Sequence, residues 1–136
     1  AHLGTIWEGT SNIVALDVTR AISRDDALPA LKARNIELLR EAALDSRMQA
    51  QFEAVLDQAC GFAADVAATK SDALARQSAS ALYHVTTAIG LAREAAQLGA
   101  PHRLELARMV LMHRLLPRDP LGVGQDAAAL DSVLAD

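Results

Sequence analysis

The chain has 136 residues, of which 51% are hydrophobic, 22% charged and 3% aromatic, and its formal net charge is −4. This length fits one domain with a sizeable core, and the balance of apolar and charged residues excludes a wholly disordered chain. The charge-free run at residues 77–92 is too short and too polar for a membrane-spanning helix, which needs about 20 apolar residues. We therefore expect no membrane association.

The N-terminus and the single cysteine indicate the compartment. The chain begins without a basic region and an apolar core, so the sequence predicts no signal peptide. Its first residue is Ala rather than Met, and we expect a part of a longer protein. Cys60 lies in an apolar stretch, which predicts a reduced interior thiol. The expected location is cytoplasmic, or the mitochondrial matrix or peroxisome in a eukaryote.

Composition predicts an all-α fold, an antiparallel bundle of about five helices. Ala and Leu, among the best helix formers, supply 49 residues, and no stretch alternates long enough to make a strand. The first helix is predicted to begin at residues 10–12 (Thr-Ser-Asn), which suit an N-cap, and to run to about Ser23. Its inward side is predicted to hold Ile13, Leu16 and Ile22. A second helix starts near Pro29 and ends around residues 45–46.

The third and fourth predicted helices cover residues 47–69 and 72–98. Each carries a stripe of apolar or small residues at steps of three and four, which antiparallel helices need in order to interlock. The third has Met48, Phe52, Val55, Ala59, Phe62 and Val66, and the fourth has Ala75, Ser78, Leu82, Val85, Ile89, Ala92 and Ala96. Gly99 suits a C-terminal cap, and Pro101 opens a fifth helix that ends near Leu116. Residues 119–136 are predicted to form an acidic tail, with a loop or a short helix at 126–134.

Charge is unevenly distributed along the chain. Residues 73–118 hold six Arg and two Glu, whereas residues 119–136 hold four Asp and no basic residue. The first interpretation of the basic block is a solvated face whose arginines pair with acidic neighbours. The second is binding to a polyanion such as DNA, which so modest a field does not favour by itself. The histidines lack the spacing of metal ligands, so no metal site is predicted.

One short segment suggests chemistry. Glu8 lies between the bulky Trp7 and Gly9, just before the predicted helix start. Gly9 permits close approach to the backbone, and unpaired N–H groups at a helix N-terminus favour an anionic or carbonyl ligand. If Trp7 shields Glu8 from water, its proton affinity rises, as a general base requires. A plain turn and N-cap, with Trp7 packed in the core, is the alternative that these residues leave open.

Residues 6–22 read IWEGTSNIVALDVTRAI and closely resemble the active-site segment of the acyl-CoA dehydrogenase family. The Ala-rich fourth helix and the ending HRLLPRDPL at residues 113–121 are similar to the C-terminal region of the AidB-like alkylation-response branch. The resemblance implies a flavoprotein oxidoreductase of fatty acid metabolism. In this family a carboxylate removes the α-proton of an acyl-CoA thioester while a hydride passes from the β-carbon to FAD.

The resemblance also assigns roles to individual residues. Glu8 matches the catalytic base, and Gly9 matches the residue at the thioester end of the substrate. The positions that contact FAD are Thr10, Ser11 and Asn12. Many relatives have Gln where Asn12 stands, so here a shorter amide makes that contact or yields it to water.

The family pattern further implies which part of a protein this chain represents. Relatives have an N-terminal helical domain, a central β domain that holds the flavin, and a C-terminal helical domain, to which this chain corresponds. We divide it into the active-site segment and first helix (1–24), a helical bundle (25–118) and the acidic tail (119–136). Alone it is expected to be inactive, and in the parent to form a homo-oligomer. The alternative is a non-catalytic oligomerisation or DNA-binding module of an AidB-like protein.

Overall fold

The structure, a computed structural model, describes residues 2–116 of the chain and the side chains from Ile13 onward. Five α-helices are followed by a π-helical turn: α1 (His2–Asp25), α2 (Ala27–Glu41), α3 (Ser46–Thr69), α4 (Asp72–Leu98), α5 (Pro101–Val110) and the π turn (Leu111–Leu115). Residues 2–116 contain no strand, which confirms the predicted all-α helical bundle. The predicted tail at 119–136, with its short helix at 126–134, lies outside the described residues.

Helix α4 forms the centre of the bundle, because it contacts α1, α2, α3, α5 and the π turn. Its buried residues are Ala75, Ser78, Leu82, Val85, Ala88, Ile89 and Ala92. The predicted stripe is therefore confirmed up to Ala92. The assignment of Ala96 to this stripe was wrong, since residues 96–98, in the final turn of α4, are all exposed.

The core lies between α4 and the helices around it. Phe52 and Leu56 of α3, Leu39 of α2 and Ile89 of α4 are each at most 1% exposed. Burial of such a side chain stabilises the fold by about 1.5–3 kcal/mol. These residues come from three helices, so the core joins segments that are far apart in the chain.

The N-terminal end of α1 differs from the prediction. The helix was expected to begin at residues 10–12, but it runs without interruption from His2. The N–H groups of residues 10–12 therefore bond to carbonyl groups four residues earlier. Ser, Thr and Asn cost at most about 0.7 kcal/mol each inside a helix, so their presence does not force a helix to start there.

The buried face of α1 also differs from the prediction. Ala15 and Thr19 are buried and Ile22 packs against the core, whereas Ile13 is 62% exposed. The Thr19 hydroxyl donates to the Ala15 carbonyl at 3.1 Å, so its burial leaves no unpaired donor. Placing Ile13 on the inward side was wrong, because α1 turns its small residues toward α3 and α4.

Asp45 fixes the start of α3 and so limits how far α2 can extend. Asp45 accepts a hydrogen bond from the Met48 backbone N–H at 2.8 Å and begins α3 at Ser46. Helix α2 was predicted to continue to residues 45–46, but it ends at Glu41. The four residues that follow α2 are needed to turn the chain and to place Asp45 at the cap.

Replacing Gly99 or Gly90 by Ala is expected to change the stability of the fold in opposite directions. Gly99 caps α4 with φ +59°, where the Cβ of Gly99→Ala is expected to cost about 1 kcal/mol of stability. Gly90 lies inside α4, and nothing lies within 4 Å of the position that a Cβ takes there. We expect Gly90→Ala to add about 0.5–1 kcal/mol, because it removes backbone freedom from the unfolded chain. Urea unfolding of both variants measures the two effects, and shifts of equal sign would contradict this account.

Candidate functional site

The predicted catalytic segment lies within α1, near its N-terminal end. Glu8, Gly9, Thr10, Ser11 and Asn12 are consecutive residues of this helix, and their side chains lie outside the described residues. Positions 8 and 12 are four residues apart, so their backbone positions lie one above the other on the helix surface. The structure thus places the proposed base and the proposed amide contact to FAD one helical turn apart.

One physical reason for a site at this segment does not hold in the folded chain. The sequence suggested unpaired N–H groups beside Gly9, as at a helix N-terminus. In the structure, residues 9–12 lie inside α1, so their N–H groups bond to carbonyl groups of the same helix and are not left unpaired. The interpretation of residues 9–12 as a helix-terminal anion site is therefore wrong, and the assignment of Glu8 depends on the family resemblance.

Elsewhere, a groove of about 280 Å³ lies between α3, α4 and the π turn. We call it the Arg114 groove. Its apolar floor consists of Val55, Ala59, Phe62, Ala81 and Leu115. Its exposed polar rim consists of Gln58, Gln77, Ser80 and Arg114. Sequence analysis did not single out the two glutamines or Ser80, because nothing local marks exposed polar residues beside a buried stripe.

The π turn shapes one side of this groove. The fifth helix was predicted to continue as an α-helix to near Leu116, but α5 ends at Val110. The Leu116 N–H then donates to the Leu111 carbonyl at 2.8 Å, five residues earlier. Such wider turns are rare and often occur at functional sites. Here the turn buries Leu111 and leaves Arg114 on the rim of the groove.

His84 of α4 is half-buried and interacts electrostatically with the Arg114 guanidinium. Its ring contacts Tyr83 edge-on, with ring centroids 5.3 Å apart. Burial lowers the pKa of His84 below its usual value, and the positive charge of Arg114 lowers it further. The imidazole is therefore neutral at neutral pH and resists protonation.

Removal of the Arg114 charge is expected to change this titration. In Arg114→Gln, the pKa of His84 should rise toward 6.5, because a repulsive cation is lost while burial remains. NMR titration of the imidazole measures the shift. Arg108→Gln is the matched control, since Arg108 pairs with Glu105 and does not act on His84. An equal shift in the two variants, or none in Arg114→Gln, would contradict the electrostatic contact.

The lowered pKa of His84 also makes the stability of the fold depend on pH. The pKa of His84 is lower in the folded chain than in the unfolded chain, so the unfolded chain binds more protons as the pH falls through about 6.5. The contribution of His84 to stability is therefore complete above this pH and is lost in acid. Arg114→Gln should weaken that acid dependence.

Three of the six arginines in the basic block form ion pairs. Arg93 forms an ion pair with Glu41, Arg103 with Glu94 and Arg108 with Glu105. Arg76 and Arg114 form no ion pair with any carboxylate of the described residues, and Arg118 lies outside them. This pairing agrees with the first interpretation, a solvated face, and leaves little unpaired positive charge for a polyanion.

Cys60 is 7% exposed and belongs to the core, as predicted for an interior thiol. Burial raises the pKa of this thiol, although the nearby Lys32 ammonium opposes the shift. Lys32 itself is held by Asp57 at 2.7 Å. The thiol therefore stays protonated and unreactive at neutral pH.

Among the side chains described from Ile13 to Leu116, no group of three or more His, Cys, Asp or Glu is arranged to hold a metal ion. None of the helices described in residues 2–116 is both long enough and apolar enough to span a bilayer.

Comparison with known proteins found no relative: no family model, no curated protein and no solved structure matches the chain.

Proposed function

We propose that the chain is the C-terminal helical part of an FAD-dependent acyl-CoA dehydrogenase. One observation carries the proposal: residues 6–22, IWEGTSNIVALDVTRAI, resemble the active-site segment of this family over 17 consecutive positions. The helical bundle that follows supports it, because the C-terminal domain of the family is helical. The substrate class is a fatty acyl-CoA thioester.

In this proposal Glu8 acts as the general base. Its carboxylate takes the α-proton of the thioester, the β-carbon gives up a hydride, and a double bond forms between the two carbons. FAD, when bound, would supply the oxidising chemistry as the acceptor of that hydride. Gly9 lies at the thioester end of the substrate.

The residues assigned to FAD are Thr10, Ser11 and Asn12. Their backbone N–H groups are bonded within α1, so these residues would hold the cofactor through side-chain hydroxyl and amide groups. Such groups both donate and accept hydrogen bonds, which fits the mixed donors and acceptors of a flavin. The chemistry of this donor set is therefore compatible with the cofactor.

The chain alone is expected to be inactive. The family holds its flavin against a central β domain, and residues 2–116 contain no strand.

Anaerobic mixing tests the proposal. The longer protein that contains this chain, loaded with FAD, is mixed with saturated acyl-CoAs of increasing chain length. We expect loss of the oxidised flavin absorbance together with formation of an enoyl-CoA, and no such change for the 136-residue chain with FAD. The proposal fails if no acyl-CoA reduces the flavin of the longer protein. Sustained reduction by the chain alone would refute its expected inactivity.

A non-catalytic oligomerisation module is the second candidate. Exposed apolar side chains favour it, since Ile13 is 62% exposed, Tyr83 67% and Leu98 64%. Sedimentation at rising concentration tests this candidate, which requires a self-associating species. DNA binding, its other form, has less support because Arg103 and Arg108 are ion-paired. The DNA-binding candidate would be supported by a salt-dependent affinity for duplex DNA that is lost when Arg103, Arg108 and Arg114 are replaced.

A further inference from the structure

We propose that the Arg114 groove is the docking site for an acidic segment of the same chain, residues 126–134. The proposal concerns a surface distant in sequence from Glu8 and does not depend on the proposed enzymatic function. It joins a described groove to the part of the chain that follows it.

The groove has the chemistry of a surface that binds a peptide. Phe62 and Leu115 are only half-buried, so their apolar surfaces face solvent between the polar side chains of the rim. The volume of about 280 Å³ lies below the roughly 300–1,000 Å³ of typical small-molecule sites. A groove of this size accommodates a few apolar side chains of a peptide better than a whole ligand.

The charges of the groove and the segment are complementary. Arg114 is exposed on the rim and forms no ion pair with a described carboxylate, unlike Arg93, Arg103 and Arg108. Residues 119–136 contain four Asp and no basic residue, and Asp131 lies within the proposed segment. A guanidinium and a carboxylate can form two parallel hydrogen bonds, which adds orientation to the attraction.

The apolar pattern of the segment matches the floor of the groove. Its larger apolar residues, at positions 130, 133 and 134, are Leu, Val and Leu, and residues 127–129 are Ala. Together the three larger side chains offer enough apolar surface to cover Phe62 and Leu115, and burial of that surface would favour docking.

The position of the segment in the chain favours this occupant over a separate protein. Leu115 itself lines the groove, and residues 117–136 follow almost directly. The nine residues 117–125 can span at most about 30 Å when extended, and they include Pro and Gly residues suited to turns. Because the segment is tethered, its effective concentration at the groove is high.

A spin label in the full chain tests the docking. Cys60→Ala removes the only cysteine, and Ala135→Cys places a nitroxide just after the segment. The side-chain amide signals of Gln58 and Gln77, on the rim, report proximity to the label. Gln97 is the internal control, because it lies 20 residues along α4 from Gln77, or about 30 Å. We expect several-fold loss of intensity at Gln58 and Gln77 relative to Gln97.

Charge reversal separates specific docking from chance encounters. Arg114→Glu should restore the Gln58 and Gln77 signals, and adding Asp131→Arg should bring the loss back. Backbone amide spectra of each variant establish that the bundle is folded. Unchanged signal loss in Arg114→Glu, or equal effects at Gln58, Gln77 and Gln97, would overturn the proposal.

A mixed sample distinguishes the chain's own segment from that of a second copy. Isotope-labelled chains without the nitroxide are combined with unlabelled chains that carry it. Docking within one chain predicts no signal loss at Gln58 or Gln77 in this mixture. Loss in the mixture that matches the loss within one chain would mean that a second copy occupies the groove, and the proposal would be wrong.

Discussion

In the longer protein, Glu8→Gln is expected to slow reduction of the bound flavin by an acyl-CoA by about 10²–10⁴-fold. The amide has nearly the shape of the carboxylate but cannot accept the α-proton, so the chemical step would lose its proposed base, while the contacts proposed for Thr10, Ser11 and Asn12 would be unaffected. Anaerobic stopped-flow absorbance measures the rate. Flavin content, measured from the oxidised spectrum, should be unchanged.

Glu37→Gln provides the matched control for this experiment. Glu37 is an exposed carboxylate that pairs with Arg34 at 3.1 Å on the surface of α2. Its replacement removes the same charge from the chain, so a general electrostatic effect would appear in both variants. An unchanged rate in Glu8→Gln would mean that another group takes the proton.

The second large effect is expected in the core, where Phe52→Ala should lower the free energy of unfolding by about 3–5 kcal/mol. Phe52 is 0% exposed and packs in the cluster that joins α2, α3 and α4. Removal of the ring loses its burial and leaves a cavity that the surrounding helices fill only in part. Urea unfolding of the full chain measures the loss as a lower midpoint.

Tyr83→Ala is the control for the loss of an aromatic ring. Tyr83 is 67% exposed on α4, so its truncation should change stability by no more than about 0.5 kcal/mol. If Phe52→Ala and Tyr83→Ala had equal effects, the core described above would be wrong. A loss at Phe52 below about 1 kcal/mol would contradict it as well.

Local sequence patterns predict the bounds of the two long helices, α3 and α4, to within one residue. The prediction for α4, residues 72–98, agrees with its observed bounds, and that for α3 differs by one residue. Both helices have apolar stripes over about five turns, and Asp45 and Gly99 mark an end of each. The predicted start of α1 was wrong, because N-cap residues are also tolerated inside a helix when the preceding residues are helical.

The sequence alone was enough to predict the helical class, the bounds of α3 and α4 and the stripe from Ala75 to Ala92, because spacing and capping are properties of neighbouring residues. It also contains the resemblance that makes Glu8 the proposed base. Only the folded chain decided which face of α1 is buried, where the π turn forms, and that Arg93 pairs with Glu41, 52 residues away. The Arg114 groove belongs to this second group. Its floor and rim come from three separate elements, and their meeting depends on how whole helices pack against α4.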